Sequence, residues 1–236
     1  MIKVIHGQLY SDDFSKLEQL ATNYSSCVRW CYVKFNQEQR EFNEVRNLAK
    51  EKHKMLNTRQ ISDAVMQGQA LAKRFKEQKV VFGGKKLLQR LKTGLATKQQ
   101  WKDARDGQIY ARGDKTKTGN PNLRIIENQL RITIGKRKFE NYKLFVPEKF
   151  QLQLANLLAS GEAYNVRLKK QDEKHWEVMI DYEVETPISR IGFVGGAIGI
   201  DINVDVLFGV AHLHEQLVGV LLDHLLFCRA DLGLKP

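Results

Sequence analysis

The segment GGAIGIDINVDVLFGVAHLHEQLVG, residues 195–219, sets Asp201 within an almost unbroken apolar stretch. A carboxylate in such a place is costly unless a cation or hydrogen-bond donors meet it. Carboxylates on apolar strands serve as metal ligands, as catalytic acids or bases, or as partners of a buried cation. Mg²⁺ suits such a group, because it takes oxygen ligands and commonly combines one or two protein carboxylates with substrate phosphates. Paired ions of this kind hold the attacking and leaving oxygens in two-metal nucleases. The other reading of Asp201 is structural: it ends the strand and caps a turn with Asn203.

A second group of residues offers binding rather than bond-breaking. Residues 73–105 hold 11 Lys/Arg against 2 acids. Within and around this stretch, Lys73, Arg74, Lys76, Lys79, Lys85, Lys86, Arg90 and Lys92 are candidate contacts to nucleic-acid phosphates. Trp101 and Tyr110, interleaved with basic residues, are candidates for stacking on unpaired bases. Lys115 and Lys117 lie in the polar loop DKTKTGNPN, a further phosphate contact. Phe75, Phe82 and Trp176 are read as core instead. Gly83-Gly84-Lys85-Lys86 is a turn and not a phosphate-binding P-loop, because the G-x-x-x-x-G-K-[ST] spacing is absent.

The charge balance supports a polyanionic partner. Residues 1–150 contain 31 Lys/Arg and 15 Asp/Glu, a net +16, whereas residues 151–236 contain 7 and 12, a net −5. A basic portion joined to a mildly acidic one points to nucleic acid for the first. Three cysteines without a Cys-x-x-Cys pair argue against both a disulfide framework and a zinc site. Cys27 and Cys31, four residues apart, read as small core residues on one helix face. No apolar run reaches the ~20 residues of a bilayer span, and the start of the chain has no secretory pattern. A soluble, intracellular protein without a membrane partner is expected.

These residues need elements to hold them. With 236 residues and 42% hydrophobic content, the chain suffices for one large domain or two small ones. Ile2–Tyr10 alternates like a strand. Ser11 as N-cap, with Phe14, Leu17, Leu20, Ala21, Tyr24, Val28, Cys31 and Phe35 following at three- and four-residue steps, predicts a long amphipathic helix. A charged helix is expected over about 37–55, and a third over 57–78 capped by Asn57 or Thr58. From Gly107 the pattern becomes β: GQIYARG, LRIIENQLRITI, KLFVP, YNVRLKKQ and HWEVMIDYEVE are short alternating segments. Between them, residues 148–161 predict a helix closed by Gly161. The last two β segments form a hairpin turning at 171–174. A linker, TPISRIGFVGG, leads to the apolar strand that carries Asp201.

Gly199-Ile200-Asp201, followed by VLFGVAHLH and a turn to QLVGVLL, resembles the first RuvC motif of the TnpB/OrfB family of insertion-sequence proteins. These are RNA-guided DNA endonucleases related to type V CRISPR effectors. The resemblance implies an α+β chain: a wedge-type β-barrel with an inserted helical recognition lobe, followed by the beginning of an RNase H-like (RuvC) domain. The implied divisions are 1–10 for the first barrel strand, 11–106 for the helical lobe, 107–190 for the rest of the barrel and 191–236 for the incomplete nuclease domain. It further implies a guide RNA and target DNA as partners, Mg²⁺ at a complete RuvC site with Asp201 as a ligand, and a cytoplasmic, nucleoid-associated protein of a prokaryote or mobile element.

The family uses two further carboxylates well downstream of the first. Neither role is carried onto Glu215, Asp223 or Asp231, so the chain is expected to lack cleavage activity by itself. Exposed strands of an incomplete nuclease domain would favour self-association. Two other readings stay open: a nuclease-dead, guide-dependent DNA-binding repressor, and a basic RNA-binding protein unrelated to guided systems.

Overall fold

In the computed structural model, residues 1–184 are described, apart from 77, 79, 136 and 137. Asp201 and the rest of 185–236 lie outside the described residues, and so do Lys79 and Cys228.

The strand at the start, β1 (Ile2–Tyr10), buries Ile5, Gly7 and Leu9 and exposes the residues between them, as its alternation requires. It ends in the middle of a sheet. The chain then leaves for five helices: α1 (Ser15–Asn36), α2 (Phe42–Lys52), α3 (Thr58–Arg74), α4 (Lys85–Lys92) and α5 (Lys98–Asp106). It returns as β2 (Gln108–Ala111), β3 (Leu123–Ile126), β4 (Gln129–Gly135) and β5 (Lys138–Phe145). Helix α6 (Glu148–Ser160) and the hairpin β6 (Tyr164–Lys170)–β7 (Trp176–Glu183) follow. The seven strands form one antiparallel sheet in the order β2-β6-β7-β1-β5-β4-β3. Among the described residues the protein is therefore mixed α+β, a curled half-barrel with six helices.

The curl brings the two sheet edges together, and side chains stitch them. Asn120 is fully buried. Its amide donates to the carbonyls of Ala111, on β2, and Tyr164, on β6 (2.9 and 3.1 Å), while its oxygen accepts from the N–H groups of Asn122 and Leu123. The Ile125 N–H on edge strand β3 donates to the Tyr164 hydroxyl at 2.8 Å. A barrel edge that would otherwise present open backbone groups is thus partly satisfied.

The inner face is filled by alternate residues of each strand, including Ile5, Leu9, Leu130, Ile132, Val166, Leu168, Trp176, Val178 and Ile180, all fully buried. Each such aliphatic side chain contributes about 1.5–3 kcal/mol of burial free energy. Helix α1 adds Leu17, Ala21, Cys27 and Cys31 to the same core. The two cysteines are core residues, as their spacing predicts, and Cys27 together with burial pushes the Cys31 thiol up, out of the reactive range. Helix α3 lies against α1 at Gly68, where a Cβ would fall 2.6 Å from that of Cys31. A side chain there would push the helices apart.

The expected helix starts are partly displaced. Ser11 does not cap α1; its hydroxyl turns back to the Asp13 carbonyl, and the Asp13 carboxylate accepts from the Ser15 N–H instead. Asn57 does cap α3, in a reciprocal box with Gln60. Gly161 closes α6 in the left-handed conformation at φ 67°, and the 171–174 turn joins β6 to β7.

Candidate nucleic-acid interface

The basic stretch after α3 turns at a double glycine and then folds as two short helices, α4 and α5. Gly83 and Gly84 both have φ near +90°. At Gly83 an added Cβ would lie 2.9 Å from Trp101 Nε1, so the indole of α5 packs directly on the turn. Helix α4 carries Leu87, Leu88 and Leu91 half-buried, while Lys85, Lys86, Arg90 and Lys92 are exposed. At 100° per residue those four cations fall on one side of the helix and the three leucines on the other. The leucines seat the helix, leaving a face with no acidic residue in the whole of α4. The helix α5 that follows is started by Thr97, boxed with Gln100.

That helical pair is tied to the barrel through buried charges. Asp106, at the end of α5, meets Arg29 of α1 at 2.6 Å and Arg105 at 2.7 Å. Burial works against its charged form, but the Arg105 hydrogen bonds and the Arg29 charge outweigh it and hold the carboxyl low. Lys170 of β6, 6% exposed, bridges Glu18 of α1 (2.7 Å) and Asp103 of α5 (3.1 Å). Ser25 of α1 donates its hydroxyl to the carbonyls of Asp106 and Gln108, across the junction where α5 gives way to β2.

A second basic site lies where α2, α3 and the loop after β2 meet. A cleft of about 630 Å³ is lined by Arg46, Thr58, Arg59, Ser62, Asp63, Arg112, Gly113, Asp114 and Lys115. Three arginines and a lysine, drawn from separate parts of the chain, thus converge with two hydroxyls. The Arg46 Nε is buried and has no hydrogen-bond partner among the described residues. Two carboxylates set the register of the cationic groups. Asp114 accepts the Thr116 hydroxyl (2.7 Å) and N–H (3.0 Å) on one oxygen and Arg59 (2.8 Å) on the other. Together these hold its carboxyl at about 2. Asp63 is 2% exposed and accepts the Arg112 N–H at 3.2 Å. Burial outweighs that bond and the nearby arginines, and pushes its carboxyl up to about 6. The cleft therefore presents planar guanidinium groups suited to bidentate phosphate binding, with one carboxylate that can neutralise near physiological pH.

The residues singled out in the sequence fall into several groups. Lys85, Lys86, Arg90 and Lys92 share the α4 face. Lys73 and Lys76 line a shallow cleft between the ends of α1 and α3, and Arg74 lies over the ring of Phe75 at 5.4 Å. Phe75 and Phe82 are half-buried. Trp101 packs on Gly83 and is covered by the Arg105 guanidinium 4.6 Å from its centre. Tyr110, on β2, is half-buried with Arg167 6.0 Å from its ring. Lys115 lines the arginine cleft and also meets Glu183 at 3.3 Å. Lys117 lines another cleft, beside Arg124 and Arg131.

Arg46, Arg59 and Arg112 are the cleft residues that sequence reasoning missed. They are isolated in the chain, outside the basic run, and only the meeting of α2, α3 and the β2–β3 connection unites them. Asp201, and with it the Mg²⁺ expectation, lies outside the described residues. Among those residues no group of three or more His, Cys, Asp or Glu could hold a metal ion, and no helix is long and apolar enough to cross a membrane.

An α+β half-barrel with a helical insertion and clustered cationic surfaces is the architecture these observations define. Residues 3–188 match the family described as the SSO2105 N-terminal domain, and the chain belongs to that family. The match runs from β1 past the last described strand and does not include Asp201. Among curated proteins, none matches the chain.

Proposed function

We propose that this chain binds nucleic acid through its phosphates, as the RNA-holding part of a TnpB/OrfB-like guided protein. The observation that carries the binding is the arginine cleft. Arg59 and Lys115 are paired with Asp114 and Glu183, whereas Arg46 and Arg112 have no salt-bridge partner among the described residues, and an anion with several oxygens can meet both. The leucine-seated cationic face of α4 adds a second contact line that follows a phosphate backbone.

The guided reading rests on chain order. Strand β1 sits in the middle of the sheet while all five helices before β2 are inserted after it, the layout expected for a wedge barrel interrupted by a recognition lobe. In such proteins base pairing reads sequence and the protein holds backbone and shape. Target DNA is then bound through the guide. No catalytic step is assigned to the described residues.

Salt dependence tests the cleft. Arg46→Gln with Arg112→Gln should weaken RNA binding and lower the slope of log affinity against log salt by about 1 for each phosphate no longer neutralised. An unchanged slope in a folded double variant would remove the cleft from the interface.

A further inference from the structure

The outer face of the sheet has a composition that neither the core nor the cleft explains. Strand β5 turns Phe139, Asn141, Lys143 and Phe145 outward, while Tyr142 and Leu144 are buried. Cross-strand register extends this face. Lys143 stands opposite Tyr10 of β1, Gln8 opposite Phe145, and Arg131 of β4 opposite both Asn141 and Arg124 of β3. Phe139 is 45% exposed, Phe145 51% and Tyr10 44%. Three aromatic rings are thus held out of the core by the same alternation that fills it.

Cations flank these rings. The Arg131 guanidinium lies 4.0 Å from the centre of Phe139, and Tyr10 meets Phe145 edge-on at 6.2 Å. Arg124 and Arg131 are like charges directly opposite on paired strands, an arrangement that destabilises a sheet. Neither has an acidic partner among the described residues, and both line the shallow cleft that Lys117 enters from the β2–β3 loop. An apolar protein partner would be met by these charges. A polyanion carrying flat bases meets both features at once: phosphates answer the arginines and lysines, and bases answer the rings. Phe139 and Phe145 are six residues apart on one strand, about 20 Å, room for a run of nucleotides.

We propose that the outer face of β3–β4–β5, with the adjoining end of β1, is a stacking platform for a single-stranded nucleic acid. The platform rests on the nucleic-acid reading above and adds where unpaired bases lie. Duplex, whose bases are already stacked, gains nothing from the rings and is held by the cationic surfaces alone.

The test compares labelled oligo(U), oligo(dT) and an RNA duplex of equal length on the full chain, by fluorescence anisotropy. The double variant Phe139→Ala/Phe145→Ala should lose about tenfold or more in affinity for the single strands and keep duplex affinity and the thermal midpoint. Ultraviolet crosslinking of the unaltered chain supplies a readout independent of the variant's folding, with crosslinked peptides expected to contain Tyr10, Phe139 or Phe145. Single-strand affinity retained in the variant, crosslinks confined to other segments, or a dimer of the unaltered chain that the variant dissociates would overturn the platform while leaving the binding function intact. Failure of the unaltered chain to bind any of the three probes would overturn both.

Discussion

Asp63 is the residue on which the cleft's chemistry turns. Its carboxyl is raised to about 6 by burial, above the value near 3.9 of an unfolded chain. Between those values the folded state holds more protons than the unfolded one, so this group's contribution to stability falls as pH rises from about 4 to about 6. Above that range the buried charge is a standing cost, held in place by the Arg112 N–H and the charges of Arg112 and Arg59, with Tyr110 and Tyr24 nearby. The same titration alters binding. As pH falls from 7.5 to about 5, Asp63 loses its charge and RNA affinity should rise several-fold. Asp63→Asn should bind at pH 7.5 as the unaltered protein does at the lower pH, with its profile flattened. A profile identical in both proteins, measured by anisotropy across that range, would place the pH dependence elsewhere.

At the scale of elements, the problem is holding a basic helical pair against a barrel. Helix α4 half-buries its three leucines and fully buries no residue, so its position depends on its contact with α5, and α5 depends on the Asp106 and Lys170 ion networks. Breaking a buried pair by removing one partner costs about 3–5 kcal/mol. Asp106→Ala leaves Arg29 and Arg105 without their carboxylate but, at 25% and 31% side-chain exposure, within reach of water, and should destabilise the fold by about 1–3 kcal/mol in urea melts, less than a fully buried pair. Because the folded Asp106 carboxyl is held low, its stabilisation is present above the unfolded value and is lost as pH falls through the folded one. The variant's stability should therefore approach that of the unaltered protein in acid. A constant difference down to strongly acidic pH would show that packing, not charge, carries the effect.

Much of this level was legible in the sequence, for identifiable reasons. Strand alternation predicted β1, β6 and β7, and the three- and four-residue steps predicted α1. The cap of α3, at Asn57 or Thr58, and the Gly161 stop are legible from local chemistry, whereas the reciprocal box of Asn57 with Gln60 emerges only in the structure. The cap of α1 was misplaced because Ser11 and Asp13 both offer side-chain acceptors and the helix starts after the second. The arginine cleft was not legible, since Arg46, Arg59 and Arg112 share no local pattern. Asn120, which stitches the curled sheet, reads in sequence as one more polar loop residue. Trp101, an aromatic among lysines, packs on Gly83, where the absence of a Cβ leaves room for its indole.

For the whole molecule, charge and topology point the same way. The net +16 of residues 1–150 is displayed on α4, in the arginine cleft and on the outer sheet face, while the apolar residues of the same segments form one core. The insertion of the helices between β1 and β2 sets the α4 face and the arginine cleft on the same half-barrel frame as the outer sheet face. The most direct measurement is purification of the full chain followed by sequencing of the RNA bound to it. The guided account predicts one discrete, enriched species, encoded beside the chain's own locus, whose retention falls with rising salt. RNA of heterogeneous sequence, or none at all, would contradict it.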